Sequence, residues 1–467
     1  MHKRNRGSVP NKRVLIVSYR FPPDSAAGSV RVSQFVRWLP SYGWDPYVLT
    51  CIPSEYAPRG LESPVSSDHI IRTPSRNYVE DLKQALYRVI KGETLIPLHD
   101  ERTVSVSTSM SNVSRICNPF SEIHWPDYAL FWQKGAVKRG LTFLRDNPVD
   151  LIFSSSPPPS SHIVASRIAR QTGIPWVAEY RDPWSRHYMK RMCLLRKLEE
   201  IYERKVMKTV NKIITVKQSW TDDIKSVLQR ENDINILQNG FDFNLYCGKS
   251  SRRSTNFVMN YTGFLYSEYR LDPFFRSVRR LMDENIIDRD LMKINFYGND
   301  FHGLGKDIQK YSLGGVVTFH GRLSHDDIVR VQIDSSLLIL FAWWGTGNKG
   351  NFPAKTFEYL AAGRPIICSG PGGDEIERLL YETRGGVYCT SEDMMYETLK
   401  KWIEEWKATG MIDHRPRWDR IMTYSRETQT ETLAGIFEKV MEEAAEGSRA
   451  ASKREARGEY NGRTTRH

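Results

Sequence analysis

Short runs of β-branched and apolar residues, each followed by a longer stretch of helical period, recur along most of the chain. This rhythm restricts the fold to parallel sheets covered by helices. The runs fall in two sets. The first holds Val14 to Ser18, Tyr47 to Thr50, Leu151 to Ser154, Trp176 to Glu179, Lys212 to Val216 and Ile234 to Leu237. A polar stretch around Gly248 to Ser254 separates it from the second, which holds Phe257 to Thr262, Met292 to Tyr297, Val316 to His320, Leu337 to Phe341, Pro365 to Cys368 and Gly386 to Tyr388. Each set predicts one doubly wound, Rossmann-like α/β domain, over residues 13–245 and 255–415, and a length of 467 residues accommodates both. Open α/β sheets bind ligands beyond the carboxyl ends of their strands, so two in tandem are expected to face each other across a cleft that holds the site. Residues 91–127 have no clean period and are expected to form a loop or insertion. From Arg415 to Ala445 a helical stripe returns through Ile421, Leu433, Ile436, Phe437 and Val440, which predicts closing helices over 416–445.

Several classes are excluded. The longest apolar run, Leu337 to Trp344, has 8 residues, against the roughly 20 that a spanning helix needs. The basic start, Met1 to Arg6, has no apolar stretch behind it, so no signal peptide and a cytoplasmic location are expected. The net charge of +12 is mostly terminal: residues 1–13 carry five basic side chains and no acid, and residues 447–467 carry six basic and two acidic ones. The tails, 1–12 and 446–467, are read as solvated polar segments or as weak attractors of anionic lipid. The folded body is near balance, and no nucleic-acid partner is expected. Six scattered cysteines, without C-x-x-C or zinc spacing, are read as reduced thiols. Asp288-Arg289-Asp290 formally fits a D-x-D metal motif but lies in a polar turn before a strand. It is read as solvated charge, and no metal and no other resident cofactor is expected.

Three places carry residue types suited to chemistry. Val14 to Ser18 runs through Phe21-Pro22-Pro23 to Gly28, after which Val32, Phe35, Val36 and Leu39 mark a helix; a glycine there lets a ligand approach the free amides of the helix start, though the same residues also suit an empty tight turn. Strand Leu151 to Ser154 ends in a serine- and proline-rich turn before His162, which is expected on the rim of the cleft, as a ligand-facing or a helix-capping histidine. Asp182 follows the next strand and either lines the cleft or starts a turn with Pro183. In the second domain, Pro353 suits the first turn of a helix and Gly363 its end. Lys355 and Glu358 share one face of that helix. The cation suits phosphate and the carboxylate suits a ribose diol, while the pair equally suits a surface salt bridge. The stretch Arg186 to Lys212 is a basic amphipathic helix, with Leu194, Leu198, Ile201, Tyr202 and Val206 on one side. It is expected to pack that side against its domain, with a place on an anionic membrane as the alternative.

The ordered landmarks Phe21-Pro22-Pro23 to Gly28, Glu179-Tyr180-Arg181-Asp182-Pro183-Trp184, Gln238-Asn239-Gly240-Phe241-Asp242, Tyr261-Thr262-Gly263, Phe319-His320-Gly321-Arg322 and Lys355 to Pro365 resemble GT-B glycosyltransferases of the retaining family 4 kind, over about residues 13–440. The resemblance implies a GT-B fold and a hexosyltransferase type of enzyme. It would transfer a sugar from a nucleotide-diphosphate sugar to a glycan or lipid-linked acceptor in surface polysaccharide or glycolipid synthesis, with peripheral contact to the inner membrane face. It implies that Glu358 holds the donor ribose, that Lys355 and nearby amides face the diphosphate, and that Gly28 lets its loop close on the phosphates. By the same likeness Gly263, Arg270 and Phe352 belong to the donor site, Gly321 and Arg322 lie near the nucleobase, and His162 and Asp182 are the catalytic candidates. The departing phosphate would take the acceptor's proton. Two departures stand out: Gly263 is followed by Phe264 where relatives have Gly-Arg, and Gly350 occupies the first position of a paired-glutamate motif that ends at Glu358. A nucleotide-sugar epimerase on the same scaffold and a non-catalytic sugar-nucleotide binder are the rival readings.

Overall fold

The computed structural model describes residues 12–53, 60–75, 125–187, 193–230, 234–252, 254–344 and 352–456. Residues 1–11 and 457–467 of the tails, residues 91–124 of the expected insertion, residues 188–192 of the basic stretch, and Gly350 lie outside the described residues, while residues 446–456 continue the last helix. The chain divides into two compact units: residues 1–214, 225–235 and 434–467, and residues 215–224 and 236–433.

In the first unit, β1 (Lys12–Val17), α1 (Ala27–Trp38), β2 (Trp44–Cys51), β3 (Ile70–Thr73), α2 (Trp132–Asp146), β4 (Leu151–Ser156), α3 (Ser160–Thr172), β5 (Trp176–Tyr180), α4 (Cys193–Val206), β6 (Lys212–Thr215), α5 (Thr221–Leu228) and β7 (Ile234–Ile236) follow in order. The strands form one seven-stranded sheet in the order β3-β2-β1-β4-β5-β6-β7. β1 runs parallel to both β2 and β4. Its Val14, Leu15, Ile16 and Val17 are fully buried, as a strand covered on both faces requires. The sheet edge β3 is absent from the sequence expectation: four residues, with Arg72 among them, give too short a run to stand out.

The second unit holds β8 (Phe257–Leu265), α6 (Asp272–Asp283), β9 (Met292–Asp300), α7 (Leu304–Lys310), β10 (Val317–Gly321), α8 (His325–Ile333), β11 (Leu337–Phe341), α9 (Lys355–Ala362), β12 (Ile366–Ser369), α10 (Glu375–Thr383), β13 (Gly386–Cys389), α11 (Glu392–Thr409) and α12 (Trp418–Ile421). Its six strands are ordered β10-β9-β8-β11-β12-β13. Ser324, Asp374 and Ser391 cap α8, α10 and α11 by accepting from backbone amides three residues on. Two cores fill the faces of this sheet, one around Phe274, Phe275, Phe296 and Phe341, the other around Phe357, Tyr359, Leu360 and Leu379. The last helix, α13 (Arg426–Ala456), buries Leu433, Ile436, Phe437 and Val440. From Ala434 onward it belongs to the first unit, where Phe437 meets the rings of Trp44 and Phe153 at 5.2 and 5.5 Å.

The two α/β sheets are the doubly wound pair that the rhythm predicts. The basic stretch is different. In α4 the glutamates point inward: Glu199 accepts from the Trp184 indole at 3.0 Å, and Glu203 accepts from the Tyr180 hydroxyl and the Ser185 amide, both at 3.0 Å. Leu198 and Ile201 are instead 58% and 60% exposed. Packing of the apolar side against its own domain is therefore corrected at Leu198 and Ile201, because the loop after β5 needs acceptors and α4 supplies them, while Val206 is buried and Tyr202 packs against Trp125 and Trp184.

Candidate functional site

In the second unit, the ends of β8 and β9 lie in parallel register with Gly263 opposite Gly298. Both have φ in the left-handed region, +110° and +123°. A Cβ on Gly298 would overlap the Gly263 carbonyl, and one on Gly263 would stand 3.2 Å from Lys355 Nζ. The two glycines thus leave bare backbone where α9 begins, and Lys355 lies across it.

Lys355 is the first residue of α9. Its ammonium donates to the Tyr261 hydroxyl at 2.5 Å and to the Phe264 carbonyl at 3.5 Å, and stands 3.8 Å from the centre of the Tyr261 ring. The residue keeps some surface in solvent, yet its charged end lies deep among these groups. Desolvation pulls its pKa down to about 7, partly opposed by Glu358. A cation at a helix start also opposes the helix dipole, so the place is electrostatically prepared for an anion.

Glu358, one turn on, is half-buried and held by a chain of side chains. Tyr246 donates to the Gln332 Oε1 at 2.7 Å, and Gln332 Nε2 donates to Thr262 Oγ1 at 3.1 Å and to Glu358 Oε2 at 3.5 Å. Tyr359 fixes the same helix by accepting from the Thr262 amide at 2.7 Å. Lys355 and Glu358 thus share one helix face, and Gly263 of β8 lies against Lys355. Tyr261, part of a quoted landmark, joins them with Gln332 and Gly298, which no local signal in the sequence marks.

The remaining second-unit candidates separate. Phe352 is buried and packs its ring edge-on against Phe357 at 5.1 Å, so its side chain serves the core rather than a ligand surface. Arg270 is exposed, with its guanidinium 4.7 Å above the Trp344 ring. Gly321 ends β10 with φ +72°, and Arg322 beyond it is exposed. Beside them runs an open groove of 770 Å³ lined by Asn260, Asn295, Tyr297, Leu323, Asp327 and Arg330; neither Lys355 nor Glu358 lines it. Phe264, where relatives have arginine, is 45% exposed and stacks on Phe301 at 5.8 Å.

In the first unit, β4 ends in three buried serines that act as polar fittings inside the core. Ser154 accepts from the Trp176 indole at 2.7 Å and meets His162 Nδ1 at 2.8 Å. His162 is fully buried beside Tyr180, which corrects its expected place on a rim. Burial, aided by Arg181, pushes its pKa down to about 3, so it stays neutral at ordinary pH. Ser155 donates to Glu179 at 2.6 Å, and Glu179 pairs with Arg31 at 2.8 Å in a fully buried ion pair that ties α1 to β5. Asp182 is half-buried, and desolvation raises its pKa to about 6 against the opposing pull of Arg181. Gly28 lies in the first turn of α1, where a Cβ would overlap the Arg181 guanidinium. Among the described residues no group of three or more His, Cys, Asp or Glu side chains is arranged to hold a metal ion, and no helix is long and apolar enough to cross a membrane.

A sequence profile of Glycosyltransferase Family 4 matches residues 97–245. No curated protein matches the chain in sequence. Among solved structures, HepE of Anabaena in complex with UDP and glucose is similar at a TM-score of 0.59 and 13% identity, with 92% of this chain and 100% of that one covered. Sucrose-phosphate synthase of Thermosynechococcus elongatus is similar at 0.56 and 13%, covering 92% and 99%. The N-terminal domain of Candida albicans trehalose-6-phosphate phosphatase is similar at 0.55 and 10%, covering 92% and 99%. With its two parallel sheets and these structural neighbours the chain has the GT-B fold, and by the profile match over residues 97–245 it resembles the glycosyltransferases of family 4.

Proposed function

We propose that the chain is a glycosyltransferase that moves a hexose from a nucleotide-diphosphate sugar to a glycan or lipid-linked acceptor of a surface polysaccharide or glycolipid, with retention at the anomeric carbon. The observation that carries this reading is the start of α9: Lys355 over the bare backbone of Gly263, with Glu358 one turn behind it. An ammonium there neutralises the diphosphate as it leaves, and a carboxylate accepts from both ribose hydroxyls. HepE, which shares the fold, is solved with UDP-glucose. As the bond from sugar C1 to phosphate oxygen breaks, the acceptor oxygen bonds C1 on the same face and its proton passes to the departing phosphate. His162, neutral and closed to solvent, is assigned no proton transfer, and Asp182, half-buried with its pKa raised to about 6, is kept as the catalytic candidate of the first unit. The leaving-group charge falls to lysine and helix amides, so turnover is expected to survive a metal chelator.

The test is nucleotide release from a panel of nucleotide sugars, with acceptor and EDTA present, for the wild type and Glu358→Ala. Loss of the charged acceptor of two hydrogen bonds is expected to raise the donor KM roughly 10- to 100-fold, with the melting temperature held. Unchanged kinetics would remove the ribose assignment, and an isomerised free donor without transfer would indicate an epimerase.

Helix α4 supports an acceptor held at a membrane surface. Its outward Leu198 and Ile201, on a helix that also carries Arg196, Lys197, Arg204 and Lys205, fit an anionic membrane surface. Replacing both with glutamine is expected to weaken sedimentation with phosphatidylglycerol vesicles by about tenfold or more, since each buried aliphatic side chain contributes about 1.5 to 3 kcal/mol. Equal sedimentation of the two proteins would refute the membrane contact.

A further inference from the structure

Glu203 is a buried carboxylate, 2% exposed, that has no cation to pair with among the described residues. Its partners are neutral donors: the Tyr180 hydroxyl bonds one oxygen and the Ser185 amide the other, both at 3.0 Å. Desolvation, reinforced by Glu199, raises its pKa to about 7 against the pull of Ser185 and Tyr180. A carboxylate held there is costly, and an uncharged glutamine could accept from the same amide. The charge therefore asks for a reason beyond packing.

What Glu203 holds is the turn that follows β5. The chain leaves the strand at Tyr180, passes Arg181, Asp182 and Pro183, and is then gripped by α4. Glu199 accepts from the Trp184 indole at 3.0 Å, Glu203 takes the Ser185 amide, and Glu200 accepts from Arg186 Nε at 3.0 Å. Tyr202 sets its ring edge-on to Trp184 at 6.0 Å. Asp182 thus lies between two fixed points, Tyr180 before it and Ser185 after it, and both end on the same carboxylate. The neighbouring charges are otherwise engaged. Burial keeps the Tyr180 phenol protonated, and His162 of α3, 4.8 Å from that ring, stays neutral. Arg186 is paired with Glu200, Arg204 donates to the Val227 carbonyl of α5, and Arg181 lies on the turn itself.

We propose that Glu203 is a positioning residue: by stapling Tyr180 to Ser185 it fixes the turn that presents Asp182 to the reacting groups, while touching no substrate itself. This role rests on the glycosyltransferase reading, with Asp182 as the first unit's catalytic candidate. Protonation turns one carboxyl oxygen from acceptor into donor, so the staple is complete above about pH 7 and weakened below it.

The test is nucleotide release by the full chain at saturating donor, from pH 6 to 8.5, for the wild type, Glu203→Gln and Glu203→Met. At pH 8.5 Glu203→Met is expected to lose roughly 10- to 100-fold in kcat, the scale of a misplaced catalytic group, with the donor KM held. Glu203→Gln keeps an acceptor for the Ser185 amide and should recover part of that loss. Its kcat is expected to converge on that of the wild type at pH 6, where the wild-type carboxyl is protonated and bonds as the amide does. The titration of Lys355 is common to both proteins and cancels in their ratio. A glutamate with a purely structural role would lower the melting temperature of Glu203→Met, leave kcat of the folded protein alone and give a ratio that does not vary with pH; that result overturns the proposal. Should Glu203→Met fail to fold, Tyr180→Phe replaces it. Loss of the phenol's hydrogen bond raises the Glu203 pKa, so the acid limb of kcat is expected to move to higher pH, and an unmoved limb overturns the role. The staple is also read without turnover. In spectra of isotope-labelled tryptophan, the Trp184 indole signal, identified by Trp184→Phe, should shift with a midpoint near pH 7 in the wild type and not in Glu203→Gln. If no nucleotide sugar is turned over, the glycosyltransferase reading fails while this signal still judges the staple, and an indole that does not shift overturns it.

Discussion

Lys355→Ala is expected to lower kcat by roughly 10²- to 10³-fold, the size of loss that follows removal of one preorganised group facing developing negative charge. The effect should fall on kcat more than on KM, because the charge on the diphosphate grows as the sugar leaves. A pH signature accompanies it. The free lysine titrates at about 7, and a bound diphosphate favours the ammonium, so binding above that pH takes up a proton. Donor affinity of the wild type is then expected to fall as pH rises above 7, while the alanine variant should lack that dependence. Calorimetry of UDP binding in buffers of different ionisation enthalpy measures the proton directly; no uptake at pH 8 would contradict the assignment. Stability has a defined sign as well. The unfolded chain keeps this proton to the ordinary lysine range and the folded chain only to about 7, so the residue destabilises the fold at and below neutral pH and the penalty is relieved as pH rises. Lys355→Met is therefore expected to raise the melting temperature at pH 6 while lowering kcat by a factor similar to that of Lys355→Ala.

Arg31→Met is the second large effect, and it concerns the first unit. It would leave Glu179 buried with only Ser155 as donor, and stripping one member from such a pair costs about 3 to 5 kcal/mol. Urea unfolding followed at the first unit's own transition is the measurement, since two units need not unfold as one. Replacing both members with apolar residues should recover most of the loss, because a pair of packed hydrophobes is often as stable as a buried ion pair. A single variant within about 0.5 kcal/mol of wild type would show that α1 does not depend on this contact. Because the pair ties α1 to β5, the same variant should also loosen Gly28 from Arg181.

How much of this was legible depended on the range of the contacts. The strands could be read from their own composition, and α9 from Pro353 and Gly363, because those signals are local. Lys355 and Glu358 could be paired because a helix fixes its own neighbours. His162 could not be placed: its burial depends on Ser154 supplying a polar partner inside the core, a contact made across a turn and a strand end. Phe352 sits in a motif that invites a ligand role, yet Phe357, five residues on, draws its ring inward. The outward Leu198 and Ile201 of α4 have the same origin, since the needs of Trp184, Tyr180 and Ser185 turn its glutamates inward.

The facing pair Gly263 and Gly298 bears on how such an enzyme can change over generations. Neither position tolerates even a methyl group, the first because φ is positive beside the ammonium of Lys355, the second because the neighbouring carbonyl fills the space. Variation at that lip is closed off. A lineage that acquires a new sugar must do so through its periphery, and the solvent-facing rings of Phe264 and Phe301 are where such tinkering has room.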